Sequence, residues 1–129
     1  DLIVVDSTDP VGEAAKLFTS AFYEKVRAGL RPGGCAVFQT ESPFYSTDVL
    51  AEVQEELRAL FQHVAPYTAH IPTYPSGLWS FTFASDAIDP RAAPVQRQPA
   101  FLHELRYLTP ELLRAAFVLP AYVRRRIGG

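Results

Sequence analysis

The hydrophobic positions at the start of the chain form an unbroken run. Residues 2–5 are all apolar, and Asp6 follows them directly. A run without polar alternation is typical of a strand buried on both faces, as strands of parallel sheets are. We therefore predict a central strand of an α/β sheet here. Its last residue, Asp6, is expected at the sheet edge where such folds bind ligands.

Two amphipathic helices are predicted next. Thr19 is placed to cap the first helix, which Pro-Gly-Gly at residues 32–34 ends. Its apolar residues recur at every fourth position: Phe22, Val26 and Leu30. The second helix is predicted over residues 47–61, and its apolar residues share one face: Leu50, Val53, Leu57 and Leu60.

Strand patterns alternate with these helices. We predict strands at residues 35–39, 63–71 and 79–83, and a loop over the proline-rich residues 86–100. A last short helix is expected from Thr109, as its cap, and Pro110, with a frayed, solvated tail at residues 124–129. The order of elements is strand–helix–strand–helix–strand–strand with a short C-terminal helix.

Composition narrows the class of protein. A chain of 129 residues with 48% hydrophobic content is long enough to form one domain with its own core. A net charge of −2 gives no electrostatic reason to expect nucleic acid as a partner, and no apolar stretch is long enough to predict a membrane span. The single cysteine, Cys35, cannot form an internal disulfide, so we expect a cytoplasmic protein.

An acidic turn follows the first strand. Asp6 and Asp9 lie three residues apart across the turn and would put two negative charges at the lip of the crevice. Such a site suits a cation. The alternative is that both residues only shape the turn, because aspartate and proline are common turn formers.

Residues 6–12, with the sequence DSTDPVG, resemble the active-site loop of the polyamine aminopropyltransferases, the spermidine synthase family. Further stretches agree with that family in order and spacing: residues 17–19 (LFT), 39–44 (QTESPF), 72–77 (PTYPSG) and 114–120 (RAAFVLP). The resemblance covers essentially the whole chain, and five ordered motifs are far more specific than one.

The resemblance implies a partial Rossmann-like fold of the S-adenosylmethionine-methyltransferase type. The chain has no Gly-x-Gly-x-x-Gly motif and begins where the family's fourth strand would begin. We therefore expect residues 1–129 to be a single domain, the C-terminal half of an aminopropyltransferase catalytic domain, lacking the N-terminal half. The first strand would then have an unpaired apolar edge, so we expect a homo-oligomer or a complementing N-terminal half to cover it.

The activity implied is a transferase step of polyamine biosynthesis. An aminopropyl group passes from decarboxylated S-adenosylmethionine, a co-substrate and not a permanently bound cofactor, to putrescine or a related polyamine. An alkylammonium is protonated at neutral pH, so a general base must accept its proton. Asp6, at the strand end, is the candidate base and matches the family's proton acceptor. The isolated chain is expected to be weakly active or inactive, because the cofactor-binding half is missing.

Further residues are expected to bind the amine. Asp9 would hold an ammonium group, and the resemblance makes Asp6, Ser7, Thr8 and Asp9 the polyamine-contacting loop. Tyr74 matches a family tyrosine that orients the amine. The alternative for Tyr74 is that it only packs its proline-rich turn.

Gln39 and Glu41 follow the second strand and are also expected to face the crevice. The alternative for residues 41–43 is a capping role for the following helix. Trp79 and Phe81 are expected in the core, not at the substrate. No metal site is predicted, because the histidines lack ligand spacing with Cys35 or the carboxylates: His63, His70 and His103.

The nucleoside side of the loop departs from the family pattern. Where relatives read Asp-Pro-Val-Gly-Pro, this chain has Glu13 after Gly12. Pro10 and Glu13 stand at the positions expected near the nucleoside, and Glu13 puts the purine contact in doubt.

Two other functions stay open. The chain would be a non-catalytic truncated relative if it kept the fold for oligomerisation or polyamine binding alone. A methyltransferase of the same fold is the third interpretation, and the paired aspartates and the turn at 72–77 disfavour it.

Overall fold

The computed structural model describes residues 1–92 and 100–128, and its centre is one four-stranded sheet. The strands are β1 (Leu2–Val5), β2 (Cys35–Gln39), β3 (His63–His70) and β4 (Leu78–Ser85), in the spatial order β1-β2-β4-β3. β1 pairs parallel with β2, whereas β4 runs antiparallel to both of its neighbours. The predicted α/β class and the order of these elements are confirmed.

Helices connect and flank the strands. They are α1 (Ser20–Gly29), α2 (Thr47–Leu60), α3 (Pro110–Ala115) and α4 (Ala121–Arg126), with 3₁₀ helices at Gly12–Phe18 and Ala100–Glu104. Both predicted caps are present, since Thr19 Oγ1 accepts from the Phe22 amide and Thr109 Oγ1 accepts from the Leu112 amide. None of the helices in the described part of the chain is both long and apolar enough to cross a membrane.

The apolar core lies between the sheet and the helices α1 and α2. Helical spacing in α1 and α2 and alternation along the strands bring its buried residues together: Tyr23, Val26, Ala36, Phe38, Val53, Leu57, Phe61, Val64 and Ala84. Burial of these side chains is the main source of stability that the described residues offer.

β1 differs from its prediction. Ile3 and Val5 pack against the core, but Leu2 is 59% exposed and Val4 62% exposed. The prediction of a central strand buried on both faces is therefore wrong within the described residues, where β1 lies at the edge of the sheet. The expected unpaired edge of this strand is present there.

The C-terminal tail also differs from its prediction. Residues 121–126 form α4 instead of a frayed end, and Val123 and Ile127 are buried against Leu50 and Leu119. Apolar residues at positions 119, 123 and 127 recur at helical spacing, which explains this second small core. Arg58 Nη1 also donates to the Ile127 carbonyl oxygen at 2.5 Å.

The predicted loop at 86–100 is seen only in part. Residues 86–92 contain no helix or strand, a 3₁₀ helix begins at Ala100, and residues 93–99 lie outside the described residues. The strand predicted at 79–83 is longer than expected, because Leu78–Ser85 pairs with neighbours on both sides.

Candidate active site

Two cavities of about 500 Å³ each adjoin at the carboxyl ends of β1 and β2. We call them the Asp6 cavity and the Asp9 cavity after the aspartate in the wall of each. The first is otherwise lined mainly by apolar and aromatic side chains: Val4, Val5, Val37, Tyr67, Ile71 and Phe81, together with Gln39. The second adds polar groups: Glu41, Ser42, Tyr45 and Ser46, with Pro75. Tyr74 and Trp79 line both cavities.

The loop after β1 places both aspartates at the surface. Asp6, Thr8 and Asp9 are exposed, while Ser7 is half-buried. Neither Asp6 nor Asp9 forms an ion pair with a lysine or arginine among residues 1–92 and 100–128. The two carboxylates are therefore available to a cationic ligand from the cavities.

Gln39 joins the two acidic segments. Its Nε2 donates to the Ser7 carbonyl oxygen at 3.1 Å and to Glu41 Oε1 at 2.9 Å, and its Oε1 accepts from the Glu41 amide. Gln39 is 8% exposed, so both ends of its amide are used inside the protein. The side chain of Gln39 therefore fixes the position of the loop after β1 relative to the end of β2.

Glu41 is a buried carboxyl group, 5% exposed, in the wall of the Asp9 cavity. Burial raises the pKa of Glu41, the hydrogen bond from Gln39 opposes that change, and the negative charge of Asp9 raises the pKa further. The backbone of Glu41 has φ 67°, a region that residues other than glycine rarely adopt. A cation bound in this cavity would favour the ionised form.

Among residues 41–43, which the sequence offered as an alternative cap, no side chain caps α2. The N-cap of α2 is Ser46, which forms no side-chain cap, and Glu41 hydrogen-bonds to Gln39 instead. Ser42 Oγ accepts from the Phe44 and Tyr45 amides in the turn that precedes α2. The Ser42 and Pro43 carbonyl oxygens meet the start of α2, where they accept from the Ser46 amide at 2.9 Å and from Thr47 Oγ1 at 3.0 Å. Glu41 and Ser42 also line the Asp9 cavity.

Tyr74 packs in its own turn and also lines both cavities. It stands in the tight turn after β3, where its amide donates to the Ile71 carbonyl oxygen and its own carbonyl oxygen accepts from Gly77. Its ring stacks on Trp79 with centroids 4.3 Å apart, yet Tyr74 stays 49% exposed. It both packs its turn and lines the two cavities.

The aromatic wall of the Asp6 cavity was missed by the sequence analysis. Trp79 is buried as expected, but it also lines both cavities. The prediction of Phe81 in the core is wrong, because Phe81 is only half-buried and stacks on Tyr67 in the wall of the Asp6 cavity. Burial raises the pKa of Tyr67, so this phenol stays neutral. The alternation along β4 was the available signal, because it puts Trp79 and Phe81 on one face of the sheet.

The residues expected near a nucleoside line neither cavity. Pro10 is half-buried, and Glu13 is exposed on the first 3₁₀ helix, where it pairs with Lys16.

Within residues 1–92 and 100–128, no group of three or more His, Cys, Asp or Glu residues is arranged as metal ligands would be.

This geometry suits an aliphatic cation. Three carboxyl groups in the cavity walls can accept hydrogen bonds from ammonium groups: Asp6, Asp9 and Glu41. Four aromatic rings in the same walls can contact methylene groups or a positive charge: Tyr67, Tyr74, Trp79 and Phe81. In open α/β folds, ligands bind at the carboxyl ends of the strands, which is where these acids lie.

Comparison with known proteins identifies the family. Residues 1–93 match the spermine/spermidine synthase domain. The chain is 44% identical over 126 residues to the polyamine aminopropyltransferase of Shouchella clausii, covering 96% of this chain and 44% of the relative. It is 44% identical over 123 residues to that of Bacillus subtilis, with 95% and 44% covered. The chain belongs to the spermine/spermidine synthase family.

Solved structures agree with this assignment. A spermidine synthase in complex with the transition-state analogue AdoDATO matches with a TM-score of 0.86 and 34% identity over 99% of this chain and 44% of that one. The spermidine synthase from Thermotoga maritima matches with a TM-score of 0.83 and 34% identity over 99% of this chain and 43% of that one. The family and fold implied by the five motifs are confirmed, and the chain spans less than half the length of these relatives.

Proposed function

We propose that this chain forms the amine-binding and proton-accepting part of a polyamine aminopropyltransferase, as the C-terminal half of its catalytic domain. The reaction transfers an aminopropyl group from decarboxylated S-adenosylmethionine to putrescine or a similar amine. The observation that carries this proposal is a pair of carboxylates, Asp6 and Asp9, in the walls of two adjoining cavities with aromatic sides, where neither forms an ion pair within residues 1–92 and 100–128.

Proton removal is the first requirement of this reaction. An alkylammonium with a pKa of about 10.4 costs about 4.6 kcal/mol to deprotonate at pH 7. A carboxylate beside the attacking nitrogen accepts that proton and typically contributes about 10²–10⁴ in rate. Asp6 has this function in the proposal, because it follows the last residue of β1 and lines the more apolar cavity.

The transfer itself is a displacement at carbon. The lone pair of the amine forms the new C–N bond at the carbon next to the sulfonium, and the C–S bond breaks with its electrons on sulfur. Methylthioadenosine leaves as a neutral molecule, and the proton from the amine passes to Asp6 and then to solvent. Correct orientation of the amine lowers the barrier further.

The remaining residues bind and orient the amine. Asp9 holds an ammonium group, with Ser7 and Thr8 completing the loop that contacts the polyamine. Tyr74 orients the amine from the wall that both cavities share. Gln39 holds the loop through Ser7, and Glu41 adds a third carboxyl group to the Asp9 cavity.

The co-substrate and the partner of β1 belong to the same proposal. The proposal places the nucleoside near Pro10, whereas Glu13, in place of the proline of relatives, pairs with Lys16 and lines neither cavity. β1 is an edge strand among the described residues, and one of its faces exposes Leu2 and Val4. Both observations support the expectation that β1 is covered by an N-terminal half or by a second copy. We propose a cytoplasmic protein, and weak or no activity for the 129 residues alone.

Calorimetric titration of putrescine into the chain tests amine binding. Asp9→Asn removes a charge without changing shape, and we expect it to weaken affinity about tenfold, with a smaller difference at high salt. Glu24→Gln is the matched control, because Glu24 is an exposed acid of α1 that lines neither cavity. Equal affinities for the two variants would contradict the proposal.

The reaction is tested by release of methylthioadenosine from decarboxylated S-adenosylmethionine and putrescine. We expect Asp6→Asn to lower the rate by about 10² or more in any preparation that has activity, including one supplied with an N-terminal half. A loss below about tenfold would remove Asp6 as the base. Spermidine formation by the chain alone at an ordinary enzymatic rate would contradict the expected weak activity.

A non-catalytic polyamine-binding module is the second candidate. It is favoured by one observation, that both cavities form within a chain that spans 44% of its relatives. Titration of putrescine, methylthioadenosine and their mixture separates the two functions. A module binds the amine with the same affinity in each case, whereas an active site binds it more tightly with the nucleoside present.

A further inference from the structure

A line of buried polar side chains crosses the protein from α2 to the end of β2. Gln54 Nε2 donates to Thr82 Oγ1 at 2.6 Å, and Thr82 Oγ1 donates to Thr40 Oγ1 at 3.4 Å. Thr40 Oγ1 lies 2.9 Å from Ser80 Oγ. Three of these residues are fully buried and Ser80 is 1% exposed. We call Gln54, Thr82, Thr40 and Ser80 the buried hydroxyl chain.

All donors in the buried hydroxyl chain can point the same way. A hydroxyl donates one hydrogen and also accepts, so each threonine can accept from one neighbour and donate to the next. Ser80 Oγ then donates at the end, where the carbonyl oxygens of Thr40 and Glu41 each lie 2.8 Å away. Hydrogen bonds in such a series strengthen one another in a low-dielectric interior. The buried hydroxyl chain therefore holds the backbone at Glu41 through the bond from Ser80 Oγ.

This arrangement has an energetic cost at Gln54. Its Oε1 is buried and finds no hydrogen-bond partner among the described residues. Leucine has a similar size and would avoid that cost. What the amide provides in return is the hydrogen bond from its Nε2 to Thr82 Oγ1.

The buried hydroxyl chain ends where the backbone is strained. Glu41 and Ser76 are the residues other than glycine with positive φ in the described part of the chain, at 67° and 68°. Ser80 donates its amide to the Glu41 carbonyl oxygen at 2.9 Å, and Ser42 Oγ lies 3.4 Å from Ser76 Oγ. Strained residues persist only where the surrounding structure holds them. Both strained residues lie at the Asp9 cavity: Glu41 lines it, and Ser76 follows Tyr74 and Pro75, which line it too.

We propose that the four residues of the buried hydroxyl chain are positioning residues: Gln54, Thr82, Thr40 and Ser80. They hold Glu41 in the wall of the Asp9 cavity and thereby determine the affinity of that cavity for an amine. They act through Glu41 and not by contact with the ligand. This inference rests on the proposed function only in naming an amine as the ligand. The other titratable groups that line the same cavity are Asp9, Tyr45 and Tyr74.

Two substitutions of Thr82 separate positioning from packing. Thr82→Val keeps the shape of the side chain and removes the hydroxyl, whereas Thr82→Ser keeps the hydroxyl and removes a methyl group. We expect Thr82→Val to weaken putrescine binding about tenfold, as loss of an outer partner does in metal sites. It should also shift the pH at which the Glu41 carboxyl carbon titrates in NMR spectra. Thr82→Ser should lower Tm and leave both properties unchanged.

Further variants keep the test independent of stability. Ser80→Ala removes the last donor and should change affinity and Glu41 titration as Thr82→Val does. Val53→Ala is the matched control on α2, because Val53 is buried in the apolar core and should lower Tm alone. If affinity and Glu41 titration instead follow Tm across all variants, the buried hydroxyl chain is only packing and the proposal is wrong.

The test also distinguishes this inference from the proposed function. If the wild-type chain binds no putrescine, the proposed function fails, while a Glu41 titration that changes in Thr82→Val and not in Thr82→Ser still supports positioning. If putrescine binds and depends on Asp9, but Glu41 titrates identically in every variant, the positioning inference alone fails.

Discussion

The two sides of α2 contact very different interiors. Val53 and Leu57 pack into the apolar core between the sheet and the helices, while Gln54, next to Val53, enters the buried hydroxyl chain. The apolar side contributes stability through buried area, which is non-directional. The polar side contributes little net stability but demands directed bonds. One helix therefore stabilises the fold through some residues and shapes the candidate site through another.

The largest expected effect tests the apolar side. Leu57 is fully buried, so Leu57→Ala should lower the free energy of unfolding by about 3 kcal/mol through lost burial and a cavity. Chemical denaturation measures the change. Leu113→Ala is the control, since Leu113 is 44% exposed and should cost under about 0.5 kcal/mol. Similar losses in the two variants would mean that the apolar core is not the main source of stability.

A smaller loss is expected in the second core at the C-terminal end. Val123 is fully buried beside Leu50, so Val123→Ala should cost about 2 kcal/mol, from two methyl-sized groups and the space they leave. Thermal unfolding would check it. Tyr122→Ala affects a residue that is 40% exposed on the same helix, and it should cost less. An unchanged Tm in Val123→Ala would indicate that α4 does not pack.

The polar side should behave differently. Replacing Gln54 and Thr82 together with leucine and valine removes both partners of a buried hydrogen bond, so the free energy of unfolding should change by less than about 1 kcal/mol. Denaturant titration measures this, with Leu57→Ala as the reference. Amine affinity should nevertheless fall. A loss of stability as large as that of Leu57→Ala would erase the contrast between the two sides of α2.

The smallest effect is a pH dependence at Glu41. Burial raises the pKa of Glu41 in the folded state, so its contribution to stability is present at pH below the unfolded pKa and is lost as pH rises through the folded pKa. Glu41→Gln should therefore raise Tm relative to wild type more at pH 7 than at pH 4. Thermal unfolding at both pH values tests this. Glu24→Gln, on the exposed face of α1, should show no such difference.

Much of the fold follows from local pattern, because the signals lie close together in sequence. Thr19 and Thr109 cap helices as expected, and the apolar face of α2 is the one predicted. The C-terminal helix α4 is not predicted, because the run Arg124–Arg126 suggests a solvated tail, while the apolar spacing of Val123 and Ile127 is short and lies on either side of that run. The run in β1 did not reveal which of its faces the described residues cover, since an apolar run reports preference for burial and not the neighbour that provides it.

The candidate site was predictable in its acids and not in its internal connections. Asp6, Asp9, Gln39, Glu41 and Tyr74 line the two cavities as expected. The bonds from Gln54 to Thr82 and from Thr40 to Ser80 depend on the register between β2 and β4 and on the rotation of α2, which no local pattern encodes.

The stack of Tyr74 on Trp79 forms a partition between two chambers. Because the same two rings line both cavities, a change that moves either ring alters the shape of both cavities together. Redesign of Tyr74 or Trp79 to fit a longer ligand in the Asp6 cavity would therefore also change the Asp9 cavity.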